Sequence, residues 1–288
     1  MTIKRKSKKA GTKKQKRAEK GLKNAKKSKD KFPVIAKKVV SQSDIIIEIL
    51  DARFIEETRN KYVEDKIRKR GKKLIYVLNK TDIAQDIKAK LKEVPDPKIT
   101  ISCKERQGSR KLRDLIKRFS KDIEKPRDKF GRITVGIIGQ PNTGKSSIIN
   151  ILTGKSSAKT GSQAGFTKGM QKIKMTKNIL LMDTPGVIPY KNYSNNPNDR
   201  QRFIDQQAKI GARTEEKIRD PESFVDLVIK KYPGILEGYY KVDSEGDSEI
   251  LMEKIERSKS ILKKGNLVDT DKVARLILMN WQKGNIKI

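Results

Sequence analysis

The chain contains no histidine and a single cysteine, Cys103, in 288 residues. Without imidazole there is no His-ligated metal, no Ser–His or Cys–His nucleophile pair and no histidine general base. One thiol allows neither an internal disulfide nor a cysteine-based zinc site. No run approaches the roughly 18 to 20 consecutive apolar residues of a membrane span, and the amino-terminal segment lacks the apolar stretch of a secretory signal. Acids are scarce too: 35 Asp and Glu face 69 Lys and Arg, a formal charge of +34. A field of that sign attracts polyanions, either nucleic acid or an anionic membrane surface. Apolar residues make up only 34% of the chain. They gather in its middle, so a core is expected there and not at the flanks.

Residues 1–31 hold 15 Lys or Arg against Glu19 and Asp30, a net of +13. With only Ile3 and Leu22 as large aliphatic residues, this segment buries too little surface to offset its ordering entropy. A basic disordered tail over 1–32 is therefore expected, leaving +21 on the 257 residues after Lys31. Beyond it, apolar runs of strand length alternate with amphipathic stretches. Ile45–Leu50, Leu74–Leu78, Ile99–Ile101, Ile133–Ile138 and Ile179–Met182 read as buried strands. Val63–Arg70 and Lys111–Ile123 read as helices between them, the second with Leu112, Leu115, Ile116 and Phe119 on one face. Such alternation predicts an α/β unit over 33–190 with a mainly parallel sheet covered on both faces, its ligands at the carboxyl ends of the strands. After Pro189 a polar linker, KNYSNNPND, leads to an all-α domain over 191–288. Its expected helices start at the Asp220-Pro221 cap, span Ile250–Leu262, and span Val273–Trp281 between Thr270 and Gly284.

Gly139-Gln140-Pro141-Asn142-Thr143-Gly144-Lys145-Ser146 stands between a predicted strand and the helix-like SSIINIL. Glycines there let backbone N–H groups surround phosphates, Lys145 reaches the β and γ oxygens, and the Ser146 hydroxyl ligates Mg²⁺; Gln140, Pro141, Asn142, Thr143, Gly144 and Ser147 complete the cradle. Asp183-Thr184-Pro185-Gly186 ends another strand. Asp183 is placed to hold the Mg²⁺ through water and Gly186 to offer its N–H to the γ-phosphate, although the tetrapeptide also suits a plain surface turn. Thr167, in the stretch GSQAGFTKG between these motifs, is a third candidate metal ligand, one engaged only when the γ-phosphate is present. Base choice points to Asn79-Lys80-Thr81-Asp82. The acceptor-only carboxylate of Asp82 matches the N1–H and amine of guanine, and adenine offers no such donor pair. Lys80 lies along the base and Asn79 ties adjacent loops. Ser102-Cys103-Lys104 closes the next strand, with the Cys103 N–H toward guanine O6.

These are the elements of a GTPase in an unusual order, with the guanine motif ahead of the phosphate loop. The order resembles the circularly permuted GTPases of the YlqF/YawG family, which act in assembly of the large ribosomal subunit. The resemblance runs from about Pro33 to Pro189 and includes Asp51-Ala52-Arg53 and Thr58-Arg59-Asn60. Ile55 and Ala164 stand where the family usually has proline. It implies a circularly permuted P-loop GTPase domain followed by a small all-α C-terminal domain, binding GTP or GDP with Mg²⁺. It further implies slow hydrolysis and contacts with rRNA of a large-subunit precursor. Val187 replaces the glutamine that orients water in many GTPases, and a histidine substitute is excluded by composition. Asn142 matches the phosphate-loop asparagine that helps ligate K⁺ in cation-dependent relatives, so Asn142, Lys145 and Thr167 are the expected catalytic set; shaping the loop is the simpler role for Asn142. A monomer without membrane or disulfide partner is expected, cytoplasmic, or nucleolar or nuclear in a eukaryotic host. Two alternatives stay open: an RNA-binding scaffold gated by nucleotide without turnover, and a GTPase acting on tRNA or elsewhere in translation.

Overall fold

The computed structural model describes residues 31–126, 128–154, 170–186, 197–213, 215–259 and 269–288. The basic tail up to Asp30, Thr167 and Val187 lie outside the described residues. Six strands form one sheet in the order β3-β2-β1-β4-β6-β5: β1 Ile45–Asp51, β2 Lys73–Asn79, β3 Lys98–Thr100, β4 Ile133–Gly139, β5 Gln171–Lys174 and β6 Ile179–Asp183. All neighbours are parallel except β5 with β6. Five strands fall on the apolar runs. The sixth, β5, reads Gln-Lys-Ile-Lys and is largely exposed, so it carried no hydrophobic signal; it is a charged edge, which discourages pairing with other chains.

Residues alternate along β1 between two cores. Ile45, Ile47 and Ile49 face Leu112, Leu115 and Ile116 of α5 (Ser109–Lys121) and Ile148, Ile149 and Leu152 of α6 (Lys145–Thr153). Ile46 and Leu50 face α1 (Lys31–Gln42), through Val39 and Val40, and α3 (Lys61–Arg68), through Val63 and Ile67. The short helices α2 (Ile55–Thr58) and α4 (Ile87–Leu91) complete this unit. Helix α1 starts at Lys31, two residues before the expected start of the α/β unit at residue 33. Helix α3 starts before Val63 because the Asn60 side chain accepts the Val63 N–H at 3.2 Å.

The remaining helices are α7 Pro197–Lys209, α8 Glu222–Lys231, α9 Ile235–Tyr240, α10 Ser248–Lys259 and α11 Thr270–Lys283. The last three residues of the expected linker are therefore helical. Thr270 is not the cap of α11: Asp269 accepts the Lys272 N–H at 3.3 Å and Thr270 becomes the first helical residue. Gly284 closes that helix in a left-handed conformation, as expected. These helices share a core around Trp281, and Phe54 of the α/β unit joins it, stacked on Trp281 with ring centroids 6.1 Å apart. The two units thus pack through an aromatic contact, and the division expected at residue 190 falls outside the described residues.

A buried carboxylate pair supports α3. Glu64 accepts from Arg59 at 2.8 Å, Arg68 at 3.2 Å and the Tyr76 hydroxyl at 2.6 Å, while Glu48, inside the sheet, accepts the Asn60 N–H at 2.8 Å. Burial, reinforced by Glu64, pushes Glu48 from 4.5 up to about 8. A carboxyl that stays protonated when folded stabilises the protein most at low pH, and that contribution is lost as pH rises from the unfolded value to the folded one. E48Q keeps an acceptor for Asn60 and cannot ionise. Its stability by urea unfolding is expected to gain on the wild type with rising pH between about 4.5 and 8, by up to roughly 1.4 kcal/mol per pH unit. A constant difference would contradict this assignment.

Candidate functional site

Strand order reverses between β1 and β4: β1 leads outward to β2 and β3, β4 to β6 and β5. The carboxyl edge on either side of such a switch point is where a parallel sheet receives ligands. The loops after β2, β3, β4 and β6 all open there, and each carries one of the motifs.

The loop after β4 curls because two glycines have no substitute. Gly139 has φ +150°, and a Cβ would lie 2.6 Å from the Ile49 carbonyl; Gly144 has φ +98°, and a Cβ would lie 2.1 Å from Asn79 Nδ2. Lys145 and Thr143 both turn back to the Gln140 carbonyl, at 2.6 and 3.0 Å. Ser146 and Ser147 stand half-buried on the first turn of α6, whose N-terminal N–H groups favour an anion. Asp183 is buried at the end of β6, beside β4. Thr184 anchors the following turn by donating to the Ile137 carbonyl at 2.6 Å. Gly186 lies against Pro141, where a Cβ would come within 2.7 Å of its backbone, so the two phosphate-side loops touch. The Ser146 hydroxyl, on the helix after β4, and the Asp183 carboxylate, at the end of the neighbouring β6, are hard oxygen donors, a set that suits Mg²⁺ bound together with phosphates.

Burial lowers the Lys145 ammonium from 10.5 to about 8, Asp183 opposing the shift and Lys80 adding to it. In the role expected of Lys145, the cation is the form that would hold phosphate. Below pH 8 it is already present; above, nucleotide binding must take up a proton, and affinity falls by up to about tenfold per pH unit. Calorimetry at pH 9 in buffers of different ionisation heats is expected to show proton uptake on GTP binding that is absent at pH 6.5. Equal heats in all buffers at pH 9 would remove this role for Lys145.

The guanine side is organised by Asn79, buried at the end of β2. Its Nδ2 donates to the Thr143 carbonyl at 2.9 Å and its Oδ1 accepts the Cys103 N–H at 3.3 Å, so one side chain ties the phosphate loop to the loop after β3. The Cys103 N–H, expected at guanine O6, is engaged by Asn79 here. Burial pushes the Cys103 thiol up to about 12, which disfavours the thiolate. Ser102 donates to Asp82 Oδ1 at 2.7 Å and orients that carboxylate. Lys104 follows in the same loop, exposed.

Contacts beneath the motifs were not foreseen. Lys80, with φ +66°, sends its ammonium to Asp51 Oδ2 at 2.8 Å. Asp51 is fully buried and also accepts from Arg53 at 2.8 and 3.0 Å. Arg53 in turn donates to the Trp281 carbonyl at 3.0 Å, and Asn142 donates to the Gly211 carbonyl at 2.6 Å. Both sides of the site are therefore bonded to the helical unit. Asp51 ends β1 at the switch point, and the Asp51-Ala52-Arg53 motif marks the position in the sequence without showing its partners.

Fold and site together define a P-loop guanine-nucleotide site on a circularly permuted sheet. A family described as 50S ribosome-binding GTPase matches residues 134–231, which takes in the phosphate loop and Asp183–Gly186 and leaves Asn79–Asp82 ahead of it. An uncharacterized GTP-binding protein of Methanocaldococcus jannaschii is 42% identical over 271 residues, covering 89% of this chain and 66% of the relative. Nucleolar GTP-binding protein 2 of Saccharomyces cerevisiae is 34% identical over 258 residues, covering 86% of this chain and 48% of its own length. The chain thus spans 40% to 66% of the length of the curated relatives it matches. GDP-bound YlqF superposes with a TM-score of 0.59 at 23% identity, covering 87% of this chain and 95% of that one, which shows the shared fold. The chain belongs to the circularly permuted GTPases of the YlqF/YawG family. Among the described residues no helix is long and apolar enough to cross a membrane.

Proposed function

We propose that this protein binds GTP, hydrolyses it slowly to GDP, and acts in assembly of the large ribosomal subunit through rRNA contacts whose strength follows the bound nucleotide. One observation carries the nucleotide part: Lys145, Asp183, Asn79 and Asp82 lie at or just beyond strand ends on one edge of the sheet although their motifs stand in permuted order. Ser146, Thr167 and Asp183 would hold the Mg²⁺, which would neutralise charge developing between the β and γ phosphates. Lys145 binds and orients the γ-phosphate. Asn142 serves K⁺ or the loop itself, and with no histidine and with Val187 after the Asp183 motif, the remaining acceleration is electrostatic.

The basic charge favours rRNA as partner, and the curated relatives named for the nucleolus support a place in ribosome assembly. In this reading the chain works as a monomer of three parts, 1–32, 33–190 and 191–288, in the cytoplasm or, in a eukaryotic host, the nucleolus. Turnover is expected to be slow alone, to rise in K⁺ over Na⁺, and to rise further with large-subunit precursors. Turnover indifferent to both would overturn the catalytic part. The scaffold without turnover is the second reading, favoured by Val187 and by the absence of histidine, which leave neither the usual glutamine nor an imidazole to position water. A single-turnover assay with precursors separates the two.

A further inference from the structure

The segment that joins α5 to β4 exists because the chain is permuted, and it ends in Asp128-Lys129-Phe130-Gly131-Arg132. Phe130 is 80% exposed, the most exposed of the four large hydrophobic side chains that reach solvent among the described residues. A lone exposed apolar residue needs no explanation by itself. This one is mounted. Asp128 accepts the Phe130 N–H at 3.1 Å, Arg132 Nε at 2.8 Å and Lys172 Nζ at 3.4 Å, and its carbonyl accepts the Gly131 N–H at 3.0 Å. Gly131, at φ +70°, completes the turn. The Arg132 guanidinium lies 4.9 Å from the Phe130 ring centroid. A cleft of about 610 Å³ runs between this turn, Lys129, Lys172 and the end of α1 at Ser41 and Gln42.

An exposed ring on a hydrogen-bonded turn, backed by a guanidinium and bordered by three cations against one carboxylate, has the composition of a stacking platform for an unpaired base. The ring takes the base face and the cations take the flanking phosphates. We propose that Phe130, with Lys129, Arg132 and Lys172, binds a single-stranded segment of RNA. The inference rests on the RNA-binding reading above and gives it a surface. That surface lies at the amino end of β4, about 20 Å of strand from Gly139. Binding there does not require the nucleotide loops.

The full chain, titrated with fluorescein-labelled oligouridylate and with a fully paired RNA duplex, tests this. F130A is expected to weaken oligouridylate binding about tenfold and leave duplex binding unchanged, with F130Y within about twofold of wild type. K129A should cost less and lower the salt slope by about one. GTP affinity and melting temperature stay at wild-type values in all three, since none of these side chains is buried or near the phosphate loop. Wild-type affinity of F130A for oligouridylate, or equal losses on single strand and duplex, would overturn the platform while leaving the broader reading intact. A wild-type protein that binds neither oligouridylate nor large-subunit precursors would overturn both.

Discussion

Replacing Asp82 by asparagine is expected to lower GTP affinity by at least about a hundredfold and to create affinity for xanthosine triphosphate. Asp82 offers acceptors only, and guanine presents two donors to it. In D82N one acceptor becomes an NH₂ group that confronts the guanine amine, leaving donors unpaired in a partly desolvated site at about 1–3 kcal/mol each. Xanthine carries a carbonyl where guanine carries the amine, so the new NH₂ finds an acceptor there. Ser102 still bonds the remaining oxygen, as it does Asp82 Oδ1 at 2.7 Å, so the loop keeps its position. Competition titration of a fluorescent nucleotide by GTP, ATP and XTP reads all three affinities. An unchanged GTP affinity would mean that Asp82 does not face the base.

The second large effect is expected at Asp51, on stability. Burial alone would raise this carboxyl, but Lys80 and Arg53 hold it well below the usual carboxylate range. D51N keeps its shape and removes its charge, leaving the Arg53 guanidinium, 1% exposed, without its counter-ion and Lys80 without its anchor. Removing one partner from a buried ion pair costs about 3–5 kcal/mol, measurable by urea unfolding. Because the folded pKa is depressed, the stability that Asp51 contributes is complete above about pH 5 and is lost only as pH falls toward the folded value. The D51N deficit should therefore be constant from pH 5 upward. Amide exchange in α11 should also quicken, since Arg53 bonds the Trp281 carbonyl. A loss below about 1 kcal/mol would show that water replaces the carboxylate.

The parts legible in the sequence were those governed by short-range chemistry. Five strands announced themselves as Ile- and Val-rich runs, and Gly139–Ser146 carried its loop conformation in its glycines. Asn79 was assigned to tying loops together, and it joins the Thr143 carbonyl to the Cys103 N–H. What escaped depends on distance in the chain. Strand β5 has one apolar residue and owes its place to pairing with β6. Phe54 looks like any core aromatic, yet its ring stacks on Trp281, more than 200 residues later. Arg53 and Asn142 were placed in local motifs, and their bonds to Trp281 and Gly211 emerge only when the helical unit closes on the sheet. Helix caps failed by one residue, Asp269 for Thr270, because two adjacent residues were both able to accept.

These bonds also bear on how the bound nucleotide is sensed. Chain order alone suggests that Asp183–Gly186 passes the signal into the helices that follow. If the helical unit senses the nucleotide as proposed, two hydrogen-bonded routes are shorter, from Lys80 through Asp51 and Arg53 to Trp281, and from Asn142 to Gly211. A nucleotide that pulls Lys80 along its base, or Asn142 toward its phosphates, competes with contacts that hold the helical unit in place. The most direct test is the affinity of the full chain for large-subunit precursors, measured side by side with GDP and with a non-hydrolysable GTP analogue at fixed salt. A difference of about tenfold or more between the two is expected, within the usual range of coupling energies; equal affinities, with both nucleotides shown to be bound, would rule out nucleotide-dependent binding.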